Sequence, residues 1–236
     1  MSSAQEQPTM AALVQFLYQI GRLKSLPRTG WLDRGVPAAE AESVADHSFR
    51  VALLAWLAAL LPGATLSPDR VLKLAVIHDL AESLTGDTPP YDPAAIPPAD
   101  ETDVWHRFLQ QRHIRDPART AAKRAAEDAA MATLLADLPS PLATEIGSLW
   151  TEYQAQTTPE ARFVKQADRL ETFLQAREYL AADPGRPMAS FAAEVAETIT
   201  DPNLRSLRDA IAGWDTNGPP GPRSAGATSC PPKLGG

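Results

Sequence analysis

Apolar positions repeat at helical spacing through almost the whole chain. Leu13, Phe16, Leu17, Ile20 and Leu23 share one helical face, which predicts a first amphipathic helix over 9–24. It ends before Pro27, because a residue preceding proline is pushed out of the helical region. Residues 1–8 precede the pattern and are expected to be frayed. A polar loop runs on to Glu42. Ser43 with Asp46 three residues later has the form of a capping box. The apolar run behind it predicts a helix to Leu61, closed by Pro62-Gly63.

A cap residue followed by proline then recurs as Ser67-Pro68, Asp116-Pro117, Ser140-Pro141, Thr158-Pro159 and Asp201-Pro202. Proline fits the first helical position, where its missing N–H would have had no partner. These pairs predict helices over 67–84, 116–137, 140–156, 158–182 and 201–214, with a polar helix over 100–112. Gly86 breaks the helix that begins at Ser67. The proline-rich stretch from Tyr91 to Pro98 is expected to be an ordered loop or lid. No segment alternates with period two, so the expected fold class is all-α: a single-domain helical bundle over 9–214 with no sheet. The Gly/Pro-rich stretch over 215–236 is expected to be a disordered tail without a catalytic role.

Composition narrows the function. With 236 residues, 44% apolar and 22% charged, the chain has ample material for one core. The net charge of −7 and the lack of a dense Lys/Arg run disfavour nucleic-acid binding. The only cysteine, Cys230, excludes a disulfide framework and a thiolate-bound metal, and points to a reducing, cytoplasmic compartment. The apolar run from Val51 to Leu61 is too short to span a bilayer, so no membrane association is expected.

Against that background the histidines stand out. His47 and His78 lie on the two most apolar predicted helices. His106 and His113 lie on polar sequence and are expected to be solvated, without a role. His78 adjoins Asp79, with Glu82 three residues on, Asp87 just past the helix end, and Asp168 on a largely apolar helical face. Several buried carboxylates cannot all stay ionised in a dry core without a cation. Two imidazoles and two carboxylates suit a divalent ion of the Mn, Fe, Co or Zn type, and the absence of thiolates argues against a structural zinc site.

The order His47, His78-Asp79, Asp168 resembles the HD-domain superfamily of metal-dependent phosphohydrolases. Pro27-Arg28-Thr29-Gly30-Trp31, Glu42-Ser43-Val44-Ala45-Asp46-His47, His78-Asp79-Leu80-Ala81-Glu82, Thr85-Gly86-Asp87 and Phe163-Val164-Lys165-Gln166-Ala167-Asp168 resemble its 5′-deoxynucleotidases. That resemblance implies hydrolysis of deoxyribonucleoside 5′-monophosphates, with His47, His78, Asp79 and Asp168 on the main metal. It places Glu82 and Asp87 at the catalytic end, Arg28 on the substrate phosphate, and a second metal near Glu82, Asp87 and Thr88. The ion implied is Mn, Co or Mg, with Zn or Fe as alternatives. The partner implied is a small nucleotide, and a homodimer is allowed. Bacterial-type members carry tryptophan directly after the arginine. Here Thr29 stands there and Trp31 follows, which leaves the reading of the sugar open. Alternatives are hydrolysis of a cyclic, signalling or triphosphate nucleotide, a di-iron oxygenase, which would need more histidines, and a non-catalytic helical module.

Overall fold

The computed structural model describes residues 3–214, with side chains from residue 10. Eleven α-helices follow one another: α1 (Ser3–Ile20), α2 (Thr29–Leu32), α3 (Val44–Ala59), α4 (Pro68–Ile77), α5 (Glu82–Thr85), α6 (Thr102–Gln110), α7 (Pro117–Leu135), α8 (Ser140–Ala155), α9 (Pro159–Ala182), α10 (Ala189–Thr198) and α11 (Pro202–Gly213). There is no strand among the described residues, only an isolated antiparallel bridge between Pro27 and Ser43. None of these helices is long and apolar enough to cross a membrane.

The caps form much as the local sequence dictates. Ser43 and Asp46 close a reciprocal capping box on α3. Ser67, Asp116, Thr158 and Asp201 each accept a backbone N–H in the first turn of α4, α7, α9 and α11. Helix α8 differs: it starts at Ser140, with Pro139 in the cap position and no side-chain cap.

Helix α9 is the axis of the bundle and packs against α3, α4, α8, α10 and α11. Ala161, Val164, Ala167 and Leu170 on it have no exposed surface, so its buried face reaches several partners at once. A smaller cluster of Trp31, Val36, Ala176, Tyr179 and Met188 fixes α2 to the C-terminal half of α9. Trp31 sits edge-on to Tyr179, with 5.1 Å between centroids, and its indole N–H donates to Glu42 at 2.8 Å.

Several expectations are corrected. The first helix already runs from Ser3, so the frayed start does not hold for residues 3–8, and it ends in a 3₁₀ turn over Gly21–Ser25. Residues 1–2 and the expected tail lie outside the described residues. The loop before Ser43 contains the short helix α2, which Trp31 pins by burial. Helix α10 has no cap-and-proline signal and was not anticipated. Residues 78–81 wind more tightly than the helix expected there. Glu82, Ser83 and Leu84 donate to Asp79, Leu80 and Ala81, three residues back, at 3.0–3.1 Å. The cause is local: the His78 ring Nδ1 engages the Ala75 carbonyl at 2.7 Å, competing for the acceptor that the α-helical ladder would use.

Leu170→Ala, at a fully buried position in the middle of α9, is expected to cost about 2–5 kcal/mol. Urea denaturation followed by circular dichroism measures this; a loss below about 1 kcal/mol would show that α9 is not the tightly packed axis of the fold.

Candidate metal centre

The tight turn after α4 sets the first half of the site. At three residues per turn, side chains at i and i+3 lie one above the other. Asp79 and Glu82 therefore point the same way, toward a cavity of about 330 Å³ that both line. His47 comes from the first turns of α3, and Asp168 from the middle of α9. Both imidazoles are buried: His47 is 0% and His78 2% exposed.

The donor atoms converge. His47 Nε2 lies 3.2 Å from Asp168 Oδ1 and 3.8 Å from Asp79 Oδ2, and His78 Nε2 lies 3.0 Å from that same Asp79 oxygen. His47, His78 and Asp79 offer ligand atoms within 4.8 Å of one another. Asp168 joins through His47 rather than as part of that triplet, and its Oδ2 is held by Lys165 at 2.8 Å.

Each imidazole is oriented by its other nitrogen. His78 Nδ1–H donates to the Ala75 carbonyl, which leaves a lone pair on Nε2. That Nε2 is buried and has no hydrogen-bond partner. Asp79 is near it in distance, yet off the line a hydrogen bond would need, so the two groups face a common point instead of each other. A buried acceptor left open beside a carboxylate fits a bound cation. His47 Nδ1 donates to Glu171 in a very short contact, while Glu171 also takes Arg50 Nε at 2.7 Å. This carboxylate–imidazole pair turns His47 Nε2 toward the centre. Glu171 lies one turn beyond Asp168 on α9. The sequence reading missed it, although the i,i+3 spacing behind Asp168 was the available signal. A further cluster of Glu42, His47 and Glu171 lies close enough for a metal. Arg28 and Arg50 already neutralise it, with Arg28 Nη1 3.7 Å from Glu42 and 3.8 Å from Glu171.

The electrostatics say what the centre lacks. Burial and Arg28 both disfavour a charged His47, but hydrogen bonds to Asp168 and Glu171 outweigh them and push it up to about 9. Burial opposes ionisation of Asp168 as well, yet Lys165 and His47 hold its carboxyl well below the usual range. Asp79 is likewise driven down by His78 and His47 against its burial. Without another cation, the cluster keeps a proton on an imidazole.

The remaining predicted residues lie around the cavity. Arg28 lines it and donates from Nη1 to Thr172 at 3.2 Å. Asp87 lines it too, but its Oδ2 accepts the Thr29 backbone N–H at 2.6 Å, and its carbonyl accepts the Thr29 hydroxyl at 3.0 Å. Thr88 presents its carbonyl to Arg115 at 2.8 Å. His113 is half-buried rather than solvated. It lines the cavity and packs against Tyr91 and Phe108. His106 is also half-buried, beside Trp105. The proposed lid is pinned at its base: Tyr91 is buried, and its hydroxyl donates to Asp33 at 2.8 Å.

Comparisons with known proteins show the family. A family model described as "HD domain" matches residues 20–205, and the chain belongs to that family. It is 37% identical over 202 residues to the 5′-deoxynucleotidase HDDC2 of Xenopus laevis, covering 85% of this chain and 86% of that protein. It is 35% identical over 172 residues to the 5′-deoxynucleotidase hdd1 of Schizosaccharomyces pombe, covering 71% of this chain and 72% of that one. Among solved structures, a predicted metal-dependent phosphohydrolase from Magnetospirillum magnetotacticum superposes with a TM-score of 0.61 at 25% identity, covering 90% of this chain and 94% of the other. A conserved hypothetical protein from Pyrococcus furiosus gives 0.59 at 27%, covering 84% and 98%. The phosphohydrolases of this family are metal-dependent, and the chain carries buried donors for such an ion.

Because a cation must displace the His47 proton, Mn²⁺ affinity is expected to rise with pH between 6.5 and about 9, with proton release on binding. Calorimetry in buffers of different ionisation enthalpy measures both; an affinity flat across that range would remove His47 from the ligand set. Glu171→Gln is expected to weaken Mn²⁺ binding by about 10–100-fold, read in the same titration.

Proposed function

We propose that the chain is a metal-dependent 5′-deoxynucleotidase that hydrolyses deoxyribonucleoside 5′-monophosphates to a deoxynucleoside and phosphate. One observation carries the reading: the open His78 Nε2 meets His47 and Asp79 beneath a cavity that Arg28, Glu82 and Asp87 also line. A cavity of about 330 Å³ falls in the range of small-molecule sites. The relatives named 5′-deoxynucleotidase support the substrate class.

His47, His78, Asp79 and Asp168 would hold the ion, with Mn, Co or Mg as first choices and Zn or Fe as alternatives. Bound there, a divalent ion supplies Lewis acidity toward the phosphoryl oxygens and makes water nucleophilic near neutral pH. The chain's own groups do the rest. Arg28 supplies positive charge to the phosphate as it becomes more negative. Glu82 orients the attacking water and accepts its proton. Burial and the neighbouring Asp79 and Asp87 push its carboxyl up, while Lys123 and Arg28 pull the other way. A carboxylate shifted in that direction is a better proton acceptor than an ordinary glutamate. Asp87 lines the same cavity and is the candidate donor to the leaving 5′-oxygen, with Oδ2 tied to Thr29. The described unit, 9–214 with its extension to Ser3, acts as one domain in the cytoplasm.

We also infer a homodimer contact on α3. Phe49, Leu53, Trp56, Leu57 and Leu60 fall at helical spacing on one face and stay exposed, with Phe49 at 70%. Leu57→Glu is expected to give monomers in sedimentation velocity; an unchanged association state would place any contact elsewhere.

The full chain with Mn²⁺ or Co²⁺ is expected to release phosphate from dAMP and dTMP, and EDTA is expected to stop it. Equal turnover of AMP and dAMP would count against the deoxynucleotidase reading, and a panel with cyclic nucleotides and triphosphates separates the alternatives. Asp79→Ala is expected to lose bound metal and turnover together. Glu82→Ala is expected to keep the metal and lose about 10²–10⁴-fold in rate; loss of the metal instead would make Glu82 a ligand.

A further inference from the structure

The resemblance implied a second cation beside Glu82, Asp87 and Thr88, and in this chain each of those groups already has a protein partner. Lys123, from α7, reaches Glu82 Oε1 at 3.2 Å. The Asp87 carboxylate accepts the Thr29 N–H, and the Thr88 carbonyl accepts from Arg115. Lys123 is not a stray surface side chain. It lines the cavity, its side chain is 22% exposed, and Glu127 one turn along α7 holds its ammonium at 2.6 Å. Burial would lower its pKa, but Glu82 and Glu127 outweigh that and raise it, so the ammonium stays charged. A divalent ion at the same place would bring two more positive charges against Lys123, whose ammonium already sits on the Glu82 carboxylate.

We propose that Lys123, anchored by Glu127, is the resident cation of the second position: it holds the Glu82 carboxylate in line with Asp79 and leaves the chain room for one divalent ion. Lys123 is thus a positioning residue that acts through Glu82. Its kinetic consequence rests on the hydrolase reading above; its consequence for metal count does not. One long side chain takes over the neutralising part of a second metal, and Glu127 supplies the rigidity that a flexible lysine lacks.

Mn²⁺ titrated into the metal-stripped full chain, with metal analysis after gel filtration, is expected to saturate at one ion per chain. Lys123→Met is expected to admit a second Mn²⁺. It is also expected to lower kcat for dAMP by about 100-fold, with KM within about 3-fold because ground-state binding is untouched. Lys123→Arg keeps a cation at Glu82 and is expected to retain one ion and recover most of kcat. Glu127→Gln loosens the anchor and is expected to fall between; these two variants carry the comparison if Lys123→Met does not fold, as judged by thermal melting. Two ions on the wild-type chain overturn the proposal, and so does a Lys123→Met protein with wild-type kcat and one ion. If no deoxynucleoside monophosphate is turned over under any metal, the proposed function falls, while the metal counts of wild type and variants still decide on Lys123.

Discussion

The structure is built around a charge balance in a largely buried place. Asp79, Asp168 and Glu171 lie at the junction of α3, α9 and the turn after α4, and isolated buried carboxylates are too costly to persist. Each finds a cation or a donor. Arg50 and His47 serve Glu171, Lys165 and His47 serve Asp168, and His47 Nε2 lies 3.8 Å from Asp79. His47 is shared among them, which is why it is held charged against its own burial. Among the side chains of this cluster, His78 Nε2 is left open. A divalent ion held by His47, His78, Asp79 and Asp168 would complete this balance, supplying the positive charge that the shared proton otherwise provides. His47 and Asp168 lie on the packed faces of α3 and α9, so these donors are held in place before an ion arrives.

The walls of the cavity depend on a second polar hub. Arg34 is buried, and its guanidinium donates to Gly30 O, Pro187 O, Leu109 O and Ser190 Oγ, tying α2, α6 and the start of α10 together. It lies over the Phe191 ring at 4.5 Å, and its neighbour Asp33 holds Tyr91. From the other side, Arg115 and Arg119 donate to the carbonyls of Thr88, Pro89 and Tyr91. The stretch after Gly86 has little regular structure of its own, so these arginines replace the backbone ladder that a helix would have supplied. The base of the expected lid is therefore a fixed wall.

What the sequence revealed follows from how local each cause is. Caps are decided within four residues, and Ser43, Ser67, Asp116, Thr158 and Asp201 were legible. The candidate donors stood out because ionisable groups in apolar runs are conspicuous: His47, His78 and Asp79 lie together, and Asp168 meets them through His47. Glu171 was hidden because α9 also carries Arg169, Glu178 and other charges that are merely surface. The i,i+3 spacing behind Asp168 puts Glu171 on the same side of α9, but only the His47 contact separates it from a glutamate that meets solvent. Lys123 was hidden more deeply. Its helix is alanine-rich and polar, and its partner Glu82 lies forty-one positions earlier. Helix α10 lacked a signal because its start is set by Arg34 binding Ser190, a tertiary contact.

The substitution at Thr29 now has a physical consequence. Where related bacterial proteins carry tryptophan, this chain uses a hydroxyl that donates to the Asp87 carbonyl while its backbone N–H donates to the Asp87 carboxylate. An indole at that position has no hydroxyl for that first bond. Trp31 does not replace it at the cavity, because it is 1% exposed and its N–H is spent on Glu42. The turn carrying Arg28 is thus fixed at three points. The Pro27–Ser43 bridge holds its start, Asp87 holds Thr29, and the Trp31 cluster holds its end. Arg28 and Asp87 are consequently placed by the same contact. A change in one alters where the other stands, so the two groups proposed for the phosphate and the leaving oxygen form one mechanical unit, separate from His47 on α3 and Asp168 on α9.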